Sequence, residues 1–387
     1  MLAAARNAGR HSPGQDLKGP EMRRLDSTTP TVVREPFGTV DGSEVHRYVL
    51  TNTHGMTVRL LTYGGVIQSL ESPDREGRIA NVVLGFPTLD GYVANNQPDA
   101  ARVFLGAVIG RYANRIAHGT FTLDGKIHRL PRNDNGHSLH GGTAGFDTHV
   151  WSATEFREPG IAGVRMTHMS PDGDQGYPGR LRTEVTYQLD SRSRLRISYR
   201  AATDAPTVVN LTNHAYWNLA GEDSGTVYDQ RLTINAERYS PVDPGLIPTG
   251  NPVAVGGTPF DFRIPTGIGE RIEAPHPQTR IGHGYDHNWV LDPENPGSLS
   301  FAAQAHDPAT GRMLTVWTTE PGIQFYSGNF LTSGLVGTGG RPYGPGAGFA
   351  LEAQHSPDSP NRPDFPSTVL RPGRIYHQQT VLALSID

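Results

Sequence analysis

The stretch TVVNLTNHAYWNL, residues 207 to 219, reads as extended chain with an unusual polar face. Side chains of a strand point alternately to its two faces. Val209, Leu211, Asn213, Ala215 and Trp217 then share one face, and Asn210, Thr212, His214, Tyr216 and Asn218 share the other. A solvated outer face usually carries Lys, Glu, Arg and Thr. This one carries uncharged hydrogen-bonding groups and an imidazole that titrates near neutrality. The pattern therefore predicts a strand with one face in the core and the other in a binding site.

Working outward, the same period of two recurs along the chain. Val45–Leu50, Met56–Leu61, Leu181–Leu189, Leu195–Ala201, Arg231–Ala236, Met313–Thr318 and Ile323–Ser327 all read as strands. Phe121–Leu123, Asp124-Gly125 and Lys126–His128 read as a hairpin, because Asp-Gly tolerates the positive φ angles of a type I′ turn. Gly-, Pro- and Asp-rich breaks separate the runs, and the 46 glycines and 31 prolines are spread throughout. No helical period longer than about three turns is sustained, and strands do not alternate with helices as a parallel α/β sheet requires. The expected fold is all-β: one large antiparallel β-sandwich with little helix, over residues 37–387. Residues 1–36 are small, polar and basic without periodicity, and are expected to form a disordered extension.

A second informative stretch is Gly348–His355. Phe349, Leu351 and Ala353 share one face, and Ala350, Glu352 and Gln354 the other. An acid among small and apolar neighbours is expected to be buried, which raises its pKa and suits it to act as a base near neutral pH. A structural glutamate paired with an arginine would give the same pattern. Further clusters rich in Tyr, Asn, Asp, Gln and His occur at residues 110–116, 135–142, 284–289 and 322–329. Planar hydrogen-bonding groups for hydroxyls, with rings for the apolar face of a pyranose, suit a carbohydrate.

Bulk composition narrows the function class. A formal net charge of −4 without any basic tract disfavours nucleic acid. No apolar run reaches the ~18 residues of a membrane helix. The absence of cysteine excludes disulfides, thiolate metal sites and cysteine nucleophiles. The first residues lack the apolar core of a secretory signal, so a cytoplasmic protein is expected. His137 with His140, and His283 with His287, have spacings that zinc ligands can use. Both pairs fall in loop or strand, where such spacings do not share a face, so no metal is expected. No glycine-rich phosphate loop opens a helix, so no nucleotide cofactor is expected either.

From about Phe37 to the C-terminus the chain resembles the aldose 1-epimerase family, the galactose mutarotases. The resemblance rests on seven blocks in order: GAVIGRYANRI (106–116), SLHGG (138–142), DGDQGYPG (172–179), NLTNHAYWNL (210–219), GYDHN (284–288), PGIQFYSGN (321–329) and LEAQH (351–355). It implies a galactose-mutarotase-like supersandwich that interconverts the α and β anomers of free hexoses such as galactose or glucose, without cofactor or metal. It further implies that Glu352 is the general base on the anomeric hydroxyl. His214 would be the acid on the ring oxygen, with His140 a second histidine near that oxygen. Asn114, Arg115, Asp286 and Gln324 would bind sugar hydroxyls, Tyr216 would shape the pocket, and Tyr177 has no implied catalytic role. The chain departs from the family where Ala144 replaces a basic residue often found before Gly145, and where Ser356 replaces a common aromatic. Both departures bear on substrate preference.

The expected chemistry needs one base and one acid. A modestly raised carboxylate and an imidazolium, each titrating near the working pH, would serve. The expected partner is a small sugar, with no nucleic acid or membrane, and the expected state is a monomer. An epimerase of hexose 6-phosphates remains open, because Arg111 and Arg115 lie close in sequence and would share a strand face. A non-catalytic sugar sensor on the same fold is the other alternative. A glycosidase would want two carboxylates across the bond.

Overall fold

The computed structural model describes residues 29–97, 102–292 and 297–387. Strands dominate, and every strand-to-strand ladder is antiparallel. The nine-stranded sheet shows why. In Leu181–Asp190 the buried residues are Leu181, Thr183, Val185, Tyr187 and Leu189; in Arg194–Thr203 they are Leu195, Ile197, Tyr199 and Ala201. The ladder sets Val185 opposite Tyr199, Tyr187 opposite Ile197 and Leu189 opposite Leu195. Each such burial of a large apolar side chain contributes roughly 1.5–3 kcal/mol, and a slip of one residue would turn the whole set to solvent.

Facing this sheet is a six-stranded one, ordered Tyr216–Trp217, Phe349–Gln354, Gly322–Tyr326, Asp286–Val290, Arg238–Ser240 and Val253–Ala254. The two share a core to which the first contributes Val185, Tyr187 and Leu314, and the second Trp217, Trp289 and Leu351. A five-stranded N-terminal sheet, Thr31 to Asn81, adds Val32, Leu50 and Val58 to the same cluster. The sandwich expected from the alternation is present. Among the described residues the α-helices are short, Leu89–Asn95 and Pro277–Gly282. None is long and apolar enough to cross a membrane. The Asp124-Gly125 hairpin forms as expected, with φ of 49° and 75° at its two turn residues.

Two expectations require correction. The first strand is Thr31–Val40, so ordered chain includes part of the region assigned to the extension. Pro36 and Gly38 sit at a register shift in this strand; that bulge hides the period of two. Residues 1–28 of the expected extension lie outside the described residues. Second, residues 207–219 are not one strand. Thr207–Val208 pairs with Val369–Leu370, Thr212–Asn213 with Val108–Ile109, and Tyr216–Trp217 with Phe349 and Ala350. Asparagine side chains replace the missing ladder bonds. Asn210 Nδ2 donates to the Ala113 and His355 carbonyls and Asn213 Nδ2 to the Gly106 carbonyl, while Asn210 Oδ1 accepts from the His355 amide. The segment thereby stitches together the parts of the chain that carry the polar clusters.

Candidate active site

One face of the six-stranded sheet forms the floor of a pocket. Cross-strand partners lie on the same face. One row runs Tyr216, Ala350, Tyr326, Asp286, and the next runs Glu352, Gln324, Asn288. On either side of buried Ala350 in the first row, the Tyr216 and Tyr326 rings meet edge to face, with centroids 5.9 Å apart. Asp286 accepts from Gln324 Nε2 at 2.7 Å through Oδ1. Gln324, buried and set opposite Glu352, orients Asp286 through this bond.

The walls come from loops. His214 is held by its backbone, its amide donating to the Ala107 carbonyl and its carbonyl accepting from Gly106. Its Nε2 lies 3.6 Å from Glu352 Oε1. His140 is locked to Asn114 twice: its amide donates to the Asn114 carbonyl, and its Nδ1 accepts from the Asn114 amide at 3.1 Å. Phe104 packs on both imidazoles, with ring centroids 4.6 Å from His140 and 5.9 Å from His214. Asn114, His140, Phe104 and Leu246 all line the pocket with positive φ, between 51° and 63°. Such backbone costs on the order of 1–3 kcal/mol per residue and concentrates at functional sites. Arg115 donates through Nε to Asp134 Oδ2 at 2.7 Å, and its Nη1 lies 3.8 Å from Asp286 Oδ2.

Asn114, Arg115, His140, His214, Tyr216, Asp286 and Glu352, drawn from five separate blocks of sequence, thus line one cavity of about 380 Å³. A sequence profile of aldose 1-epimerases matches residues 46–383. Galactose mutarotase of Rattus norvegicus is 43% identical over 358 residues, spanning 92% of this chain and 99% of that protein. Aldose 1-epimerase of Escherichia coli is 40% identical over 342 residues, spanning 88% and 95%. The crystal structure of galactose 1-epimerase from Lactobacillus acidophilus superposes with a TM-score of 0.80 at 28% identity, covering 92% of this chain and 99% of that one. The chain belongs to the aldose 1-epimerase family. It is an isomerase of sugar anomers, as the sequence blocks led us to expect.

The electrostatics of this aldose 1-epimerase differ from the expectation in one respect. Burial raises the Glu352 carboxyl well above its ordinary range, and the nearby Asp286 charge adds to this while Arg115 opposes it. Burial also pushes the His214 imidazole down to about 4. Both shifts favour the neutral form of each group, a carboxylic acid beside an imidazole, over the carboxylate beside an imidazolium that the sequence suggested. The two arrangements carry the same single proton and differ by one transfer across the 3.6 Å gap.

His140, His214 and Glu352 offer one ligand atom each within 4.8 Å of one another. A metal-binding histidine normally donates its other ring N–H to an acceptor. His140 does the reverse, because its Nδ1 accepts the Asn114 amide. The neutral ring must then carry its proton on Nε2, toward the pocket, as a hydrogen-bond donor. This donor set does not suit a metal. In the spaced histidine pairs, His137 Nδ1 accepts from the His118 amide, and His287 bonds Gln278 and the Asp286 amide.

Several lining residues escape a reading of the sequence. Phe104 looks like core, and Asp134 looks like an ordinary turn acid. Arg102 also lines the pocket and offsets one departure of this aldose 1-epimerase. Its Nη1 donates at 2.9 Å to the carbonyls of Gly142 and Thr143, and it pairs with buried Asp147, so a cation stands beside the loop where Ala144 removed one. Ser356, at the other departure, accepts from Asn288 Nδ2 at 3.3 Å. Arg111 is engaged elsewhere, donating to the carbonyls of Pro178, Gly179, Ser170 and Pro171, and its guanidinium lies 5.6 Å from the Tyr177 ring.

Proposed function

We propose that, once the pair's proton has passed from Glu352 to His214, Glu352 takes the proton of the anomeric hydroxyl while His214 gives its own to the ring oxygen. The C1–O5 bond breaks, a carbonyl forms at C1, and rotation about C1–C2 exposes its other face. The reverse transfers then close the ring. The observation that carries this reading is the 3.6 Å separation of Glu352 Oε1 and His214 Nε2. The two reacting oxygens share one carbon, so acid and base must be neighbours. Paired carboxylates of glycosidases stand at ~5–9.5 Å. His140 Nε2–H, Asn114, Arg115, Asp286 and Tyr216 hold the ring, and Gln324 acts through Asp286. They must hold it loosely enough for both anomers to fit.

The substrates proposed are free hexoses such as galactose or glucose. A 6-phosphate would need an unengaged cation, yet Arg111 binds main-chain carbonyls, Arg115 lies between two carboxylates and Arg102 pairs with Asp147. We place residues 37–387, with the strand residues from Thr31, in one catalytic domain acting as a cytoplasmic monomer, without nucleic acid or membrane partner. Polarimetry on freshly dissolved α-galactose and α-glucose tests the activity. Acceleration should be at least about tenfold weaker, as kcat/KM, on α-glucose 6-phosphate, the loss expected from one unpaired buried charge. Equal rates would favour the phosphate reading. Calorimetric sugar binding without faster anomer exchange would favour a sensor.

The proton count sets the pH dependence. Below about 4, His214 gains a second proton for the pair and no base remains. Above the raised Glu352 value the pair loses its only proton and no acid remains. The rate, corrected for spontaneous exchange, should therefore fall on the acid side near pH 4 and again above the raised Glu352 value. An acid limb near 6.5, the ordinary histidine value, would contradict this.

A further inference from the structure

We propose that Asp134 is a positioning residue that holds Arg115 away from Asp286, keeping the Asp286 carboxylate open to the sugar. This rests on the reading of Arg115 and Asp286 as sugar ligands. Arg115 and Asp286 are both buried, with side chains only 9% and 11% exposed. Opposite charges so placed attract strongly, and an arginine and a carboxylate tend to close into a two-bond pair. Here they stay 3.8 Å apart, outside hydrogen-bond distance. What holds them apart is visible on the other side of the guanidinium: Asp134 takes Nε at 2.7 Å.

Asp134 is itself fixed. It opens a tight turn, Asp134-Asn135-Gly136-His137, closed by backbone bonds in both directions between Asp134 and His137, at 3.1 and 2.7 Å. Asn135 and Gly136 have φ of 45° and 82°, and Asn135 Nδ2 donates to Asp134 Oδ1. His137 Nδ1 accepts from the His118 amide and ties the turn to the chain that follows Arg115. Gln324 fixes Oδ1 of Asp286, so Oδ2, the atom facing Arg115, is the one left for a sugar hydroxyl. Without Asp134, Arg115 would close on that atom, and the sugar would have to break a charge-assisted bond to enter.

The test is Asp134→Asn, which keeps the shape and removes the charge. For galactose and glucose, KM and the calorimetric dissociation constant should rise about tenfold, with kcat within about twofold and an unchanged melting temperature. In an Asp286→Asn background the same change should alter the dissociation constant less than about twofold, because the neutral partner no longer captures Arg115. An unchanged dissociation constant in Asp134→Asn, or an equal rise in both backgrounds, overturns the proposal. Failure of the unmodified protein to accelerate anomer exchange would sink the epimerase reading instead. The calorimetric comparison would still decide the role of Asp134, since it needs no turnover.

Discussion

Replacing Glu352 with glutamine is expected to lower kcat by about 10²–10⁴-fold, the usual contribution of one positioned proton-transfer group. Sugar affinity should change little. Glutamine fills the same volume, and Ala350 and Gln354, the neighbours on its strand face, stay in place. The fold should hold, because no hydrogen bond to Glu352 Oε2 forms among the described residues, so the carboxylate anchors little. Glutamine can accept a hydrogen bond from the anomeric hydroxyl but cannot take its proton. Polarimetry gives the rate and calorimetry the affinity. A near-normal rate would remove Glu352 from the mechanism, and a loss of affinity with an intact rate would make it a ligand.

This prediction comes from a residue that the sequence exposes well. Glu352 stands out because a strand with small and apolar neighbours has little other reason to carry an acid, and His214 because its face lacks the charges of a solvated surface. The sandwich is legible for a related reason. Runs such as Leu181–Leu189 bury one face only, so their period survives in the sequence. Where both faces are buried, as in Phe349–Gln354, the period carries less information and the polar exception carries more. Residues 207–219 mislead because Asn210 and Asn213 supply main-chain hydrogen bonds that a ladder would otherwise provide. Asp134 and Phe104 are invisible for the opposite reason. An acid in a tight turn and an aromatic beside valine and leucine are the commonest residues in those settings, and only the third dimension brings them to the sugar. Gln324 shows what a motif leaves out: its bond to Asp286 joins two blocks that lie far apart in the sequence.

His214→Asn should lower kcat by a similar ~10²–10⁴-fold, and the structure explains why His140 cannot take over. The Asn114 amide hydrogen points at His140 Nδ1, so the neutral ring keeps its proton on Nε2. Donating that proton to the ring oxygen would leave an imidazolate. Protonating Nδ1 beforehand would set two hydrogens against each other across a 3.1 Å contact. His140 can therefore orient a sugar oxygen but is poorly placed to supply its proton. His214 has no such restraint: its Nδ1 bonds to no other described residue, and its Nε2 faces Glu352. Its ring is free to hold the proton that the pair shares. Asparagine leaves the backbone bonds to Ala107 and Gly106 in place, so the melting temperature should move little. Because acid and base act on one proton inventory, Glu352→Gln combined with His214→Asn should cost little more than either alone. A fall in affinity with kcat preserved would make His214 a ligand and return the acid role to His140. Fully multiplicative losses in the double variant would show that the two groups act in separate steps.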